Sequence, residues 1–336
     1  MINWLFKYGV VIFLFNVVLL SIESSYVLGD YIFLSLMGLY GFFLLINPNL
    51  IKKIIFHKAF SFFLTLNIIN LSYFLLFHSF SDFEAVKYML ARLVQFSIIS
   101  FSVYYNFEYY KNKFLDHLVY INLGIVIIGL FANLNIFSGR YSGLLWNPNA
   151  FASFSVIGFA SLLFNTKKKT NFDYFILFIF LIISLSTGSR GILLGIPLAF
   201  IIKFRFSIHN ILYALLAVSV YLFVVTLQLD TSLNRFAEQS LFNDRLLQYQ
   251  YAYETLLQNP FFGYGLDKYS YIDKSLVPFY LKDVVVGAHN GYLAILVQYG
   301  FVFGFFVLGI ILRKSFAFFN KNSLRNPENK FYIYIY

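Results

Sequence analysis

The stretch LIISLSTGSRGILLGIP, residues 181–197, carries a single charge, Arg190, in an otherwise apolar run. A cation there costs a few kcal/mol even on lenient membrane-insertion scales, so it marks a functional site by default. What arginine supplies is a planar guanidinium fork, which grips a phosphate or carboxylate through two parallel N–H bonds. Ser186-Thr187-Gly188-Ser189 reads as a turn and Arg190 as the start of a helix, so Ser189 and the first helical N–H groups add donors to an anion site. The competing reading is an ordinary short hairpin.

A second chemistry-bearing residue is His289, in GAHNGYLAILVQYG. Of the five histidines it alone stands at an expected helix start on the outer side, beside Asn290 and flanked by Gly287 and Gly291. An accessible imidazole with a polar neighbour and small residues that admit a ligand can serve as a general base. A purely structural histidine is the alternative.

Two further segments carry cations with polar or aromatic company. In GRYSGLLWNPNAFA, residues 139–152, Arg140 precedes an Asn147-Pro148-Asn149 turn whose following helix Asn149 can cap. Trp146 and Asn149 suit sugar recognition through an aromatic face and amide hydrogen bonds, though turn chemistry and an interfacial Trp belt explain the same residues. In NDRLLQYQYAYETLLQNP, Asn243 can cap a helix that Asn259-Pro260 stops, with Leu246, Tyr249, Tyr253, Leu256 and Leu257 at helical spacing. Arg245 falls in its first turn, where the dipole favours acids. A bound anion would account for it, as would compensation by Asp244. Arg92 lies about a turn inside the fourth expected span and completes the candidates for anion or sugar contact.

These residues need a frame, and composition supplies it. Sixty per cent hydrophobic and 12% charged residues exclude an ordinary soluble domain, which carries about 25% charge. The apolar segments are helix-length and lack the alternation of barrel strands. The expected fold is all-α, a single polytopic membrane domain over residues 1–336 with about ten spans, near 5–22, 31–46, 60–80, 86–105, 115–136, 149–164, 172–186, 190–202, 211–227 and 288–312. The first has no A-x-A-like cleavage site and reads as a retained helix. The closing FYIYIY looks like the start of another helix, which makes eleven or more if the chain is truncated. With no cysteine, disulfides, thiolate metal sites and cysteine nucleophiles are excluded.

Orientation follows from lysine. Lys52, Lys53 and Lys58, then Lys111 and Lys113, then Lys167, Lys168 and Lys169, then Lys203 and Arg205, then Arg313 and Lys314 fall in alternate loops, which the positive-inside rule assigns to the cytoplasm together with the N-terminus. The basic balance thus reports topology, and no nucleic-acid partner is expected. The opposite face holds the longest loop, residues 228–287, with its amphipathic helix. It also gathers Arg92, Arg140, Arg190, Arg235 and Arg245, which indicates an outward-facing anion site. Pairing with acidic loops, or snorkelling to headgroups, is the alternative for any one of them.

At 1.5 Å per residue, Phe172–Ser186 covers about 22 Å and Gly191–Ile202 about 18 Å, both short of a ~30 Å core. The turn before Arg190 should therefore sit below the outer surface, where irregular backbone is tolerated only inside protein or lining a wet cavity. Asp267, Asp273 and Asp283 are too scattered for a metal motif, so no metal and no cofactor is expected.

The order RYSGLLWNPNAFA, STGSRG, NDRLLQYQYAYETLLQNPFFGYG, AHNGYLAILVQYG resembles the O-antigen ligase and polymerase family, over roughly residues 85–312. These are bacterial inner-membrane glycosyltransferases of the GT-C type. The resemblance implies an undecaprenyl-diphosphate-linked oligosaccharide as donor, and a glycan or lipid A core as acceptor. It puts the functional residues at Arg190, Arg245 and His289. Arg140, Arg92, Asn149, Trp146, Asn290 and Ser189 are expected on the substrates, and the membrane lipids around the protein. The implied reaction is metal-independent and inverting, on the outer face of the membrane. Polymerase is the first expectation, ligase the second, and a lipid-linked glycan transporter a third, disfavoured because no internal repeat is visible.

Overall fold

The computed structural model describes residues 2–20, 22–57, 60–136, 140–145, 147–204, 219, 243–283, 285–318 and 329–335. They form helices α1 (Ile2–Leu19), α2 (Tyr26–Ile46), α3 (Pro48–Ile55), α4 (Ser61–Phe77), α5 (Phe83–Tyr105), α6 (Phe107–Ala132), α7 (Pro148–Phe164), α8 (Asn171–Ser186), α9 (Arg190–Phe204), α10 (Asn243–Gln258), α11 (Gly291–Phe318) and α12 (Lys330–Ile335), with no strand among the described residues. Nine of the ten expected spans coincide with a helix; the ninth, near 211–227, lies outside the described residues save for residue 219, and Trp146 and Arg235 also lie outside them. Among the described residues, three helices are long and apolar enough to cross a membrane, within α2, α6 and α11, and several shorter apolar helices accompany them. The chain groups into two compact units, each discontinuous in sequence.

The first unit comprises residues 1–36, 105–241 and 318–336. Its core is built around α7, which packs against α6, α8 and α9 through Phe151, Phe159, Ala160 and Phe164, meeting Val126, Phe180, Ile183, Ile192 and Ala199. Gly158 is what allows α6, α7 and α8 to come so close: a Cβ there would lie 2.5 Å from the Phe180 ring and 2.9 Å from Asn122. A capping box starts α8, with the Thr170 and Asp173 side chains each taking the other's backbone N–H. The terminal α12 packs on α7 and α9, with Tyr334 against Phe164.

The second unit comprises residues 37–104 and 242–317. Its core joins Tyr73, Phe74, Ala85, Leu266, Tyr299 and Val307. The tenth expected span is not a continuous helix. α11 breaks at Gly300, where φ is 67° and ψ −177°, and the turn Pro260–Gly265 occupies the break. Phe301 and Val302 N–H donate to the carbonyls of Pro260 and Phe261, while Tyr264 and Gly265 N–H donate to those of Val297 and Gln298. The backbone groups a helix break would strand are thereby paired. Glycine is required on both sides of this contact: a Cβ on Gly263 would stand 2.4 Å from Gly300 N.

Candidate active site

In the first unit, two of the expected motifs are joined by backbone. The Tyr141 N–H donates to the Ser186 carbonyl at 3.1 Å, tying the Arg140 loop to the turn that precedes Arg190. Tyr141 is buried edge-on against Phe151, and its hydroxyl donates to the Asn133 carbonyl. Helix α7 starts at Pro148, and Asn147 rather than Asn149 is its cap, accepting the Asn149 N–H at 2.8 Å. Proline explains the shift: it needs no N–H partner and its fixed φ suits the first helical position, which moves the cap upstream. Asn149 is left to accept from Arg140 Nη2 at 2.9 Å through its exposed side chain. Two candidate substrate contacts are thus paired at the open end of α7.

The turn itself is buried at Ser186, Thr187 and Gly188. Ser186 Oγ donates to the Ile183 carbonyl and Thr187 Oγ1 to that of Ser184, while Thr187 Oγ1 accepts the Ser189 N–H. Gly188, at φ 64°, supplies the left-handed residue that ends α8. Arg190 then opens α9, so its N–H lies in the first turn, where intrahelical acceptors are absent. The Arg190 side chain lies outside the described atoms.

The second unit positions Arg245 and His289 differently. Helix α10 ends at Gln258, before Asn259-Pro260, as its sequence signals indicate, and begins at Asn243, which is the first helical residue rather than the expected cap. Of the expected leucine and tyrosine stripe, its inward face keeps only Leu256 fully buried. Tyr251, Ala252, Thr255 and Leu256 are buried, while Leu246, Tyr253 and Leu257 are exposed. The covering loop provides polar partners as well as apolar ones: Thr255 Oγ1 accepts the Asp273 N–H. Arg245 stands exposed in the first turn. Tyr251 and Ala252 share a cluster with Ile272, Val277, Val285, Ala288 and Ala294, which fixes the segment bearing His289. The Ala288 N–H donates to both Oγ and O of Ser270, at 3.0 and 3.2 Å. His289 is exposed at φ 43°, a left-handed conformation uncommon outside glycine. Asn290 Oδ1 caps α11 by accepting the Tyr292 and Leu293 N–H groups. In the same unit exposed Arg92 is engaged along its own helix, with Gln95 at 2.9 Å and over the Tyr88 ring at 4.9 Å.

Sequence reasoning missed one titratable cluster. His78, Asp82 and Asp267 offer ligand atoms within 4.8 Å of one another. His78 Nδ1 is 2.6 Å from Asp82 Oδ2, and Nε2 accepts the Leu266 N–H at 3.1 Å. A backbone N–H can only donate, so Nε2 carries the lone pair and Nδ1 the proton it gives to Asp82. Neither nitrogen has a lone pair left for a cation, and Asp267 already pairs with Lys268 at 2.5 Å. The residues therefore fit a structural tie better than a metal site. The pattern His78-x-x-x-Asp82 was visible, but its third partner lies far along the chain.

Residues 175–309 match a family model described as O-antigen ligase. The matched stretch contains Ser189, Arg190, Arg245, His289 and Asn290, and ends within α11. No curated protein and no solved structure matches the chain. The motif order, the helical frame and this match agree: over residues 175–309 the chain is similar to the O-antigen ligase family, and it carries helices long and apolar enough to cross a membrane.

Proposed function

We propose that the protein transfers glycan from an undecaprenyl-diphosphate carrier to an acceptor hydroxyl on the outer face of the inner membrane, as a polymerase of surface-polysaccharide repeats. The observation that carries the reading is the backbone bond from Tyr141 to Ser186, which anchors the Arg140–Asn149 pair to the turn that delivers Arg190. A departing lipid diphosphate concentrates negative charge. Guanidinium groups and a helix N-terminus stabilise that charge as it develops, without proton transfer to the leaving group. In this reading Arg190 and Arg245 take the diphosphate, while Arg140, Arg92, Ser189, Asn149, Asn290 and Trp146 contact sugar or phosphate. His289 accepts the proton of the acceptor hydroxyl as its oxygen forms the new glycosidic bond and the anomeric bond to diphosphate breaks. Attack opposite the leaving group inverts the anomeric centre, and no step calls on a metal.

Ligation of the finished chain to a lipid A core is the second reading, favoured by the description of the matching family. Deleting the gene and resolving the surface glycan on a gel separates the two. A polymerase leaves a single-repeat product, whereas a ligase leaves full-length lipid-linked chains unattached. An unchanged glycan would refute both.

A further inference from the structure

At the lysine-bearing end of α7, α8 and α9 the first unit holds a cavity of about 330 Å³. Phe159, Leu163, Leu177, Phe178, Phe200 and Phe204 form its walls, and Lys169 and Lys203 stand among them. These two lysines are half-buried, unlike their exposed neighbours Lys167 and Lys168. Lys330, at the start of α12, reaches the same place: its Nζ donates to the Lys203 carbonyl at 2.8 Å, and the charge on Lys203 is disfavoured first by burial and then by the nearby Lys169 and Lys330. Asp173, which caps α8, offsets Lys169. Holding these ammonium groups together over an apolar hollow costs free energy that a bound anion would return. Since a small soluble anion would leave the aromatic walls unused, the complementary ligand has an anionic head and a hydrocarbon tail.

We propose that this pocket binds one anionic phospholipid of the surrounding bilayer, its phosphate between Lys169 and Lys203 and an acyl chain along Phe178, Phe200 and Phe204. By the positive-inside rule this is the cytoplasmic leaflet. The ligand is thus distinct from the glycan carrier, and the inference does not rest on the proposed activity.

The test uses the full chain in mixed micelles with a phosphatidylglycerol bearing a photoreactive diazirine in its acyl chain. Labelling should map to peptides spanning residues 174–181 or 200–204. Ordinary phosphatidylglycerol should compete it away, and phosphatidylcholine should not. In native mass spectrometry Lys169→Gln/Lys203→Gln should retain phosphatidylglycerol about tenfold or more less than wild type, from two lost lysine contacts, while Lys168→Gln retains it normally. Labelling elsewhere, equal competition by phosphatidylcholine, or stronger competition by undecaprenyl phosphate would overturn the assignment. The labelling needs no variant, so the proposal can be refuted even if the double substitution fails to fold.

Discussion

The turn before Arg190 and the turn before Asn290 each bring a chemistry-bearing residue to a helix start, yet they are built in opposite ways. The first is buried within its unit and ties itself off locally: the Ser186 and Thr187 hydroxyls return to carbonyls three residues back. The second leaves His289 exposed and strained, and holds it by its neighbours. Ala288 is doubly bonded to Ser270, eighteen residues away, and Asn290 caps α11. Inside apolar surroundings the chain's own hydroxyls must satisfy a turn. At an open site, distant tethers can hold a residue in a conformation it would not choose.

If that contrast is functional, its largest break is at His289. Removing a general base costs about 10²–10⁴-fold in turnover, so His289→Ala should abolish product in an assay with purified donor while donor retention stays at the wild-type level. His289→Gly should be equally inactive but more stable than His289→Ala, by about 1 kcal/mol, because glycine relieves the positive φ. Equal stability of the two in thermal unfolding would remove the strain from the account.

Next in size is the contact at Gly263. Alanine there would meet Gly300 N at 2.4 Å and Gln298 O at 2.6 Å while holding φ at 69°, a combination worth about 2–5 kcal/mol of overpacking and strain. Gly263→Ala should therefore lower membrane abundance and melting temperature sharply. Gly191→Ala, where a Cβ meets nothing within 4 Å, should not.

A smaller contrast compares the two turns directly. Thr187→Val removes a buried donor and the acceptor of the Ser189 N–H, a loss of about 1–3 kcal/mol. Ser270→Ala should cost less, since the Ser270 carbonyl still accepts from Ala288. Thermal unfolding of both variants checks the order, and the reverse order would contradict the distinction between local and distant tethering.

The smallest effect expected is with pH. The Asp273 carboxyl is held below its ordinary value of 3.8 by hydrogen bonds from Ser275, backbone first and then hydroxyl. A depressed carboxyl adds stability that is present above its ordinary value and lost as pH falls through the lowered one. Between pH 8 and 5 the loop carrying Asp273 should be indifferent to pH, and Asp273→Asn should lower the melting temperature by the same amount at both. Activity lost in that window then belongs to the chemistry rather than to this loop.

Much of the fold was legible because spans leave a strong one-dimensional signal, and the ends of α8 and α10 followed from Gly188 and Asn259-Pro260, whereas the cap of α7 was placed two residues late, at Asn149 instead of Asn147. What escaped depended on partners distant in sequence. The inward face of α10 was only partly anticipated because Ile272, Val277, Val285 and Ala288, distant in sequence, cover it at Tyr251 and Ala252, and the same loop brings Asp273 to Thr255. The break in α11 escaped because Gly300 reads as one more small residue in an apolar run; only the arrival of Pro260–Gly265 makes it necessary. At the candidate site the residue types at Arg190, Arg245 and His289 were readable from charge cost and helix position. The link from Tyr141 to Ser186 was not, since a backbone hydrogen bond has no side-chain signature.

The central claim is that Arg190 grips a diphosphate through its planar fork at the start of α9. Arg190→Lys keeps the charge and loses the bidentate geometry. With charge-assisted bonds worth roughly 1.5–3 kcal/mol, glycan product should fall about ten- to a hundredfold at normal membrane abundance, with Arg190→Ala lower still. Product measured against membrane abundance for the two variants is the most direct test, and near-normal product from both would show that Arg190 does not hold the leaving group.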